Sequence, residues 1–346
     1  MGSNSASISV FHHPDYLKST QTPGHPESPD RVREIITAID RERLDVEFLS
    51  PEMLDPDKLA LVHGTRHIDR VRNFGIGYMD PDTFHTNETY SQALRAAGGV
   101  VEAALMSFDE RRPTFALPRP PGHHAGADFN IGFCYFNNVA IAARNLQRYR
   151  EGAEKIAILD IDVHHGNGTN DIFYGDPSVL FISTHQWGIF PGSGHEMEVG
   201  SGKGEGRTVN LPFSWGAGDH TYKEAFESIV MPILRSFSPD FIFVSLGVDA
   251  HLMDPLAGLA LSTPGYLYLT GELIEYAGKH LDSRICVELE GGYHVYALSE
   301  VVVGTMALAS TEPVETKIRY RDTREHGPDL NRLKDIRDVQ ASYWKL

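Results

Sequence analysis

The sequence predicts an α/β protein built on a doubly wound parallel sheet with helices on both faces. Short apolar runs rich in Ile, Val and Phe are typical of strands buried on both faces. Helical patterns alternate with them, which is the order of a parallel sheet. The strands are predicted at Ile8–Phe11, Thr114–Leu117, Lys155–Leu159, Val179–Ser183, Phe241–Leu246 and Ile285–Leu289. The helices are predicted at Arg31–Arg43, Ser91–Phe108, Asn137–Tyr149, Tyr222–Phe237 and Tyr266–His280.

The chain length and composition favour one large domain. The 346 residues are 41% hydrophobic, which is enough for a large core. No linker divides the chain, so residues 1–346 are predicted to form a single domain. Residues 1–7 are small and polar, which indicates a disordered leader rather than a signal peptide. No apolar run approaches the roughly 18–20 residues that a membrane span needs.

Charge and cysteine content narrow the classes of partner and compartment. The net charge of -16 argues against direct binding of nucleic acid, whose phosphates need a basic surface. It suits solubility and would attract a cationic substrate weakly. Two cysteines, Cys134 and Cys286, do not indicate a disulfide framework, so a cytoplasmic location is expected.

Polar side chains follow five of the predicted strands at the point where each strand ends. In open α/β sheets, ligands bind outside the carboxyl ends of the strands. We therefore expect one rim that gathers acidic, histidine and tyrosine side chains. The segments concerned are Arg119–His124, Asp160–Gly168, Ser183–His185, Gly247–Asp249 and Glu290–Tyr293.

The segment after Lys155–Leu159 has the pattern of a metal site. In extended chain alternate side chains share a face, so Asp160, Asp162 and His164 point the same way. Carboxylates combined with imidazole favour a divalent transition metal, most often zinc. Asp249 offers a third ligand, which leaves a fourth position for water or substrate. Structural hydrogen bonding at a strand end is the alternative for this segment taken alone.

Two further groups suit hydrolysis beside a metal. Pro120-Pro-Gly122 form a rigid turn that can direct His123 and His124 into one cavity, where they could transfer protons. Tyr293 could donate to an oxyanion. Taken alone, a pair of histidines more often lies at the surface without a catalytic role, and a Gly-Gly-Tyr sequence more often forms a loop. The glycines of Gly200–Gly206 lack the spacing of a phosphate-binding loop and are interpreted as a mobile surface loop.

Together these segments resemble the histone deacetylase superfamily, which includes acetylpolyamine amidohydrolases. The resemblance covers about residues 8 to 310. It implies the arginase/deacetylase fold, with about eight parallel strands. The matching segments are His25-Pro-Glu27, Arg119–Ala125, Gly132–Asn138, Leu159–Thr169, Phe190–Gly194, Ser245–Asp249 and Glu290–Tyr293.

The resemblance also implies roles for individual residues. Asp162, His164 and Asp249 look like zinc ligands. His124 looks like the general base and acid, His123 like its electrostatic partner and Tyr293 like the oxyanion donor. Asp160 looks like the carboxylate partner of His123. A structural potassium site is implied at Asp160, Ser183 and Thr184, with the backbone of Asp162 and His164. The walls of an acyl-lysine tunnel are implied at Gly132, Phe133 and Phe190.

Two positions place the chain within the superfamily. Asn167 stands where many members have Asp, and an amide stabilises an imidazolium less than a carboxylate does, so His124 should have a lower pKa. This resembles the class II-like members. Gly247 stands where the two-metal ureohydrolases carry a bridging carboxylate. One catalytic metal and an amide substrate are therefore expected.

The expected function is removal of acetyl or other acyl groups from lysine side chains of proteins or peptides. An acetylpolyamine amidohydrolase is the first alternative. Leu256 occupies the place where polyamine-selective relatives have an acidic residue, although another loop could supply the acid through Glu88, Glu196 or Glu198. A catalytically silent acyl-lysine binding module is the second alternative. The oligomeric state is not predicted.

Overall fold

An eight-stranded parallel sheet forms the centre of the computed structural model, which describes residues 8–18, 20–310 and 329–346. The spatial order is β2-β1-β5-β10-β9-β6-β7-β8. A separate antiparallel pair joins β3 and β4. The predicted leader 1–7 lies outside the described residues. The strands are β1 Ile8–Phe11, β2 Val46–Leu49, β3 Gly77–Tyr78, β4 Phe84–His85, β5 Thr114–Ala116, β6 Ile156–Asp160, β7 Val179–Gln186, β8 Thr208–Phe213, β9 Phe241–Leu246 and β10 Ile285–Leu289.

Helices cover both faces of the sheet. On β6, Ala157 and Leu159 face one apolar core while Ile156 and Ile158 face the other, as the two-residue period of a strand requires. None of the helices in the described ranges is long and apolar enough to cross a membrane. The helices are α1 Asp30–Glu42, α2 Thr65–Asn73, α3 Thr89–Glu110, α4 Asn138–Tyr149, α5 Asn167–Phe173, α6 Asp219–Ala225, α7 Met231–Phe237, α8 Thr263–His280, α9 Val295–Ala309 and α10 Leu330–Gln340.

The predicted parallel α/β sheet is confirmed, with differences at its edges. All six predicted strands are present, but β2 and β8 were not predicted. Both are edge strands of the sheet. Strand β2 is half exposed and so lacks a continuous apolar run. Strand β8 contains Pro212, which is tolerated in a sheet chiefly at an edge and argues against a strand when the sequence is considered alone. The segment predicted as one helix at Tyr222–Phe237 is helical throughout, but it is not a single regular α-helix. A π-helical turn at Phe226–Val230 separates α6 from α7.

The glycine-rich stretch Gly200–Gly206, expected to be a mobile surface loop, lies at the surface with Gly204 and Gly206 buried. It contains a 3-10 turn at Gly202–Gly204, and Gly204 is buried. Trp344 Nε1 donates to the carbonyl of Gly206 at 3.0 Å. The stretch is therefore packed against the C-terminal segment.

A buried ionic network fixes the loops that follow β5 and β10. Glu27 receives hydrogen bonds from the guanidinium of Arg119, and both residues are fully buried. Arg31 is 3.5 Å from the same carboxylate and donates to the carbonyl of Gly292 at 2.7 Å. Burial acts to raise the pKa of Glu27, but the positive charges of Arg119 and Arg31 hold it below its usual value. The network thereby ties the segment before α1 to both loops.

Replacing Glu27 by Ala should destabilise the protein by about 3–5 kcal/mol, because two buried guanidinium groups would lose their counter-charge. The free energy of unfolding in urea measures this. Glu42→Ala, which removes an exposed partner of Arg41, is the matched control and should change the urea midpoint little. Equal stability of the two variants would refute a structural role for the buried network.

Candidate active site

The carboxyl ends of β6 and β9 bring three candidate metal ligands together. The two strands are neighbours, and Asp160 is in register with Ser245. The chain continues from β6 to Asp162 and His164, and from β9 to Asp249. One ligand atom from each of these three residues lies within 4.8 Å of the others. The predicted metal triad is thus assembled from adjacent strand ends.

Backbone hydrogen bonds hold the carboxylates of the triad in place. Asp249 Oδ1 accepts from the N–H of Val163 at 2.8 Å, which links the two strand ends directly. Asp162 accepts from the N–H of His164 and, through its other oxygen, from the N–H of Gly291, each at 2.8 Å. The carboxylate orientation is therefore set by the backbone.

The donor set fits a divalent cation. His164 Nδ1 lies 3.2 Å from Asp162 Oδ1 and 3.1 Å from Asp249 Oδ2. A ring nitrogen carries at most one hydrogen, so it cannot satisfy both oxygens fully. A cation among the three atoms would meet all of them, and buried carboxylates require such compensation. Two carboxylates with one imidazole are a donor set that zinc accepts.

Gly247 leaves space that the triad needs. A Cβ atom at this position would lie 2.1 Å from Asp162 Oδ2. No larger residue fits there without displacing the carboxylate. This agrees with the expectation that no second bridging carboxylate is supplied at Gly247.

His123 and His124 lie beside the triad in opposite electrostatic environments. Burial acts to lower the pKa of His123, but the carboxylates of Asp160 and Asp162 outweigh it and raise the pKa well above its usual value. The Nδ1 of His123 is 3.0 Å from Asp160 Oδ2. Burial and the charges of His123 and His164 lower the pKa of His124 well below its usual value. The surroundings therefore move the pKa values of the two imidazoles in opposite directions, an arrangement typical of acid–base sites.

Asn167 sets the tautomer of His124. The Nδ1 of His124 lies 2.8 Å from Asn167 Oδ1, so Nδ1 carries the hydrogen and donates it to the amide oxygen. Nε2 of His124 is then unprotonated and free to accept a proton. Asn167 is thus placed as predicted, as a neutral partner of the second histidine.

Tyr293 is held at the same rim by Asp254. Its backbone N–H donates to Asp254 Oδ2 at 2.7 Å, and Asp254 Oδ1 accepts from the N–H of Leu256 at 3.0 Å. The guanidinium carbon of Arg31 lies 5.1 Å from the centre of the Tyr293 ring. Burial raises the pKa of Tyr293 well above its usual value, so the phenol keeps its hydrogen and can donate it.

The predicted tunnel residues surround the histidines and the tyrosine. The centres of the Phe190 and His124 rings are 5.0 Å apart, and those of the Phe133 and Tyr293 rings are 6.0 Å apart. Gly132 is buried, and a Cβ atom there would lie 2.5 Å from the His124 ring and 3.0 Å from the Phe190 ring. Phe190 is 43% exposed and Leu256 is 41% exposed, so both can meet a ligand from solvent.

The residues predicted for a potassium site also lie together. Asp160 is in register with Ser183 on the neighbouring strand β7. Thr184 Oγ1 is 3.5 Å from the carbonyl oxygen of Asp160. All three are buried. Asp160, Ser183 and Thr184 are therefore close together, and the potassium site with its ion stays a prediction.

Known proteins match this chain over most of its length. The histone deacetylase domain family matches residues 25–309. The chain is 38% identical to a probable deacetylase of Archaeoglobus fulgidus over 97% of this chain and 98% of that protein. It is 40% identical to the chloroplastic histone deacetylase 14 of Arabidopsis thaliana, over 80% of this chain and 71% of that protein. The crystal structure of the HDA15 HD domain superimposes with a TM-score of 0.86 and 33% identity, covering 97% of both chains.

This chain belongs to the histone deacetylase family. Membership of this family indicates deacetylase activity, which is a hydrolase reaction. The chain has the same α/β fold as the HDA15 HD domain.

Two groups in this deacetylase site were not singled out from the sequence. Glu290 is buried and accepts from the N–H of Gly122 at 2.8 Å, which fixes the turn before the histidine pair. Asp254 holds the backbone of Tyr293. Glu290 lies in a segment that carries the family resemblance and Asp254 follows another, but their contacts join positions more than 35 residues apart. Only the folded chain shows these contacts.

Asp249→Asn should abolish stable metal binding, because an amide is a weaker ligand than a carboxylate and carries no charge. The metal content of purified, zinc-incubated protein measures the effect. Asp69→Asn, which changes an exposed carboxylate far from the triad in sequence, serves as the control and should retain the metal. Retention of stoichiometric zinc by Asp249→Asn would remove Asp249 from the ligand set.

Proposed function

We propose that this deacetylase is a zinc-dependent amidohydrolase that removes acetyl groups from lysine side chains. The observation that carries the proposal is the triad of Asp162, His164 and Asp249 beside two histidines with opposite pKa shifts. A triad alone would also suit a structural metal. A neutral base and a phenol at the same rim are what hydrolysis requires in addition.

The two carboxylates and the imidazole of the triad would hold the zinc ion. When bound, zinc supplies a Lewis acid that polarises a carbonyl and lowers the pKa of water. The proposal includes a structural potassium ion held by Asp160, Ser183 and Thr184. It also includes the assignment of this deacetylase to the class II-like members, which Asn167 supports.

The protein's own residues would move the protons. His124 accepts a proton at Nε2 from the attacking water, because its Nδ1–H is committed to Asn167. The same nitrogen then gives the proton to the departing amine. His123, whose pKa is raised by Asp160 and Asp162, would contribute positive charge next to developing negative charge. Tyr293 donates its phenolic hydrogen to the carbonyl oxygen as that oxygen becomes negative.

Several contacts favour acyl-lysine over acetylpolyamines. A polyamine carries a distal ammonium that needs a free carboxylate. The three acidic candidates already have partners: Glu88 lies 3.8 Å from Lys18, Glu196 pairs with Arg332 at 2.9 Å, and Glu198 accepts two backbone hydrogen bonds. Leu256 presents an apolar side chain instead.

A catalytically silent binding module remains the other candidate. Such a protein would lack the phenol or a metal ligand, and this chain retains Tyr293 and all three ligand residues. The proposal also treats residues 1–346 as one domain. It places the protein in the cytoplasm, since Cys134 and Cys286 are both free thiols in the interior.

Tyr293→Phe should lower kcat by roughly two to three orders of magnitude, because the oxyanion loses a hydrogen-bond donor. Zinc content should not change, since the phenol is not a ligand. Turnover of an acetyl-lysine peptide by metal-reconstituted protein measures the effect. A variant with the rate of the wild type would exclude the donor role.

The substrate class is tested by comparing an acetyl-lysine peptide with acetylated spermidine and putrescine. We expect a kcat/KM at least about tenfold higher for the peptide, because Leu256 is apolar and Glu88, Glu196 and Glu198 each already have a partner. Asp249→Asn is the inactive control for contaminating activity. A preference for the acetylated polyamines would overturn the lysine assignment but keep the hydrolase.

A further inference from the structure

The C-terminal helix α10 is linked to the chain segment that carries Phe190. This segment, residues 187–207, joins β7 to β8 and is named here the 187–207 connection. The guanidinium of Arg332 spans the carboxylate of Glu196, with Nη1 to Oε1 at 3.1 Å and Nη2 to Oε2 at 2.9 Å. The side chains are only 20% and 10% exposed. The ion pair is therefore largely shielded from water. Charge pairs are stronger in such surroundings than on the exposed surface.

The same arginine touches both sides of the connection. Arg332 Nε donates to the carbonyl of Pro212 on β8 at 2.7 Å. Its guanidinium carbon lies 5.8 Å from the centre of the Trp187 ring, at the start of the connection. A single side chain thus joins Trp187, Glu196 and β8.

The end of the connection is held by the last residues of the chain. Tyr343 donates its hydroxyl hydrogen to Glu205 at 2.9 Å, and Trp344 donates to the carbonyl of Gly206 at 3.0 Å. Gly206 has a φ of 80°, and a Cβ atom there would lie 2.8 Å from the Tyr343 ring. The C-terminal segment and the connection are therefore fitted closely to each other.

Contacts within the connection link the residues on either side of Glu196 to the site. Glu198 accepts from the backbone N–H groups of Gly194 and His195. Ser193 Oγ lies 2.8 Å from Nδ1 of His165, the neighbour of the ligand His164. Phe190 is three residues before Ser193, and its ring centre lies 5.0 Å from that of His124 and 6.1 Å from that of His164. Its side chain is 43% exposed, so it also faces solvent.

We infer that Arg332 is a positioning residue for the acyl-lysine tunnel: its ion pair with Glu196 holds the 187–207 connection so that Phe190 stays against His124. The inference rests on the proposed function, since it assigns Phe190 to contact with the aliphatic stem of the substrate. That contact is the same in the ground state and in the transition state. Loss of the ion pair therefore raises KM and leaves kcat nearly unchanged.

Steady-state kinetics of the full chain with bound zinc and an acetyl-lysine peptide tests this inference. Arg332→Ala should raise KM about five- to tenfold, with kcat within about twofold of the wild type. Arg332→Lys should recover part of the loss, because an ammonium can pair with Glu196 but cannot span both of its oxygens. The control is Arg337→Ala, an exposed arginine of the same helix, which should leave KM unchanged.

Two further comparisons separate positioning from general destabilisation. Glu196→Gln should raise KM in the same way, and the double variant Glu196→Gln/Arg332→Ala should be no worse than Arg332→Ala. In a Phe190→Ala background, Arg332→Ala should add little to KM, since the wall it positions is gone. Additive effects in both comparisons, or an unchanged KM in Arg332→Ala, would overturn the inference.

Limited trypsin digestion provides a measurement that does not depend on activity. Lys203 is exposed within the connection and is the expected cleavage site. Cleavage there should be faster in Arg332→Ala than in the wild type or Arg337→Ala. Equal rates would show that the ion pair does not hold the connection. If the wild type hydrolysed no acetylated amine, the proposed function would fail, but the digestion would still decide whether Arg332 restrains this segment.

Discussion

The burial of several carboxylates at one edge of the sheet is the constraint on which the rest of the site depends. Asp160, Asp162, Asp249 and Glu290 are each at most 1% exposed. Isolated buried charges cost several kcal/mol each, so every one needs a counter-group. Asp160 has His123, and Glu290 has the N–H of Gly122. Asp162 and Asp249 share one imidazole, which leaves a deficit of positive charge that a divalent cation would fill.

This charge arrangement also explains why small residues surround the ligands. A Cβ atom at Gly247 or Gly291 would lie within 2.5 Å of a ligand carboxylate, and one at Gly166 would lie 2.1 Å from Asp160 Oδ2. At Gly291 the missing side chain lets the backbone N–H reach Asp162 Oδ2, while Val163 and His164 donate from positions that carry side chains. Close approach of the backbone therefore orients the carboxylates of the triad.

The strand-end residues could be predicted from the sequence because their pattern is local. Asp162 and His164 follow a buried strand at alternate positions, and Asp249 follows another, so the parallel sheet alone brings them to one edge. The edge strands were missed because Glu47 and Pro212 interrupt their apolar pattern. Helix α9 was missed because it is apolar on all sides and contains the β-branched run Val301–Val303, which obscures a helical period.

Contacts between distant segments set the limit of what the sequence could show. The family resemblance stops near residue 310, and no local pattern marks Arg332 as different from Arg337 on the same helix. The distinction exists only in the folded chain, where Arg332 faces Glu196 and Pro212 while Arg337 faces solvent. Backbone hydrogen bonds fix the carboxylates of Asp162 and Asp249, whereas Phe190 lies on a long connection that α10 contacts through Arg332. Contacts of the second kind have no local signature in the sequence, so they become visible only when the distant segments are folded together.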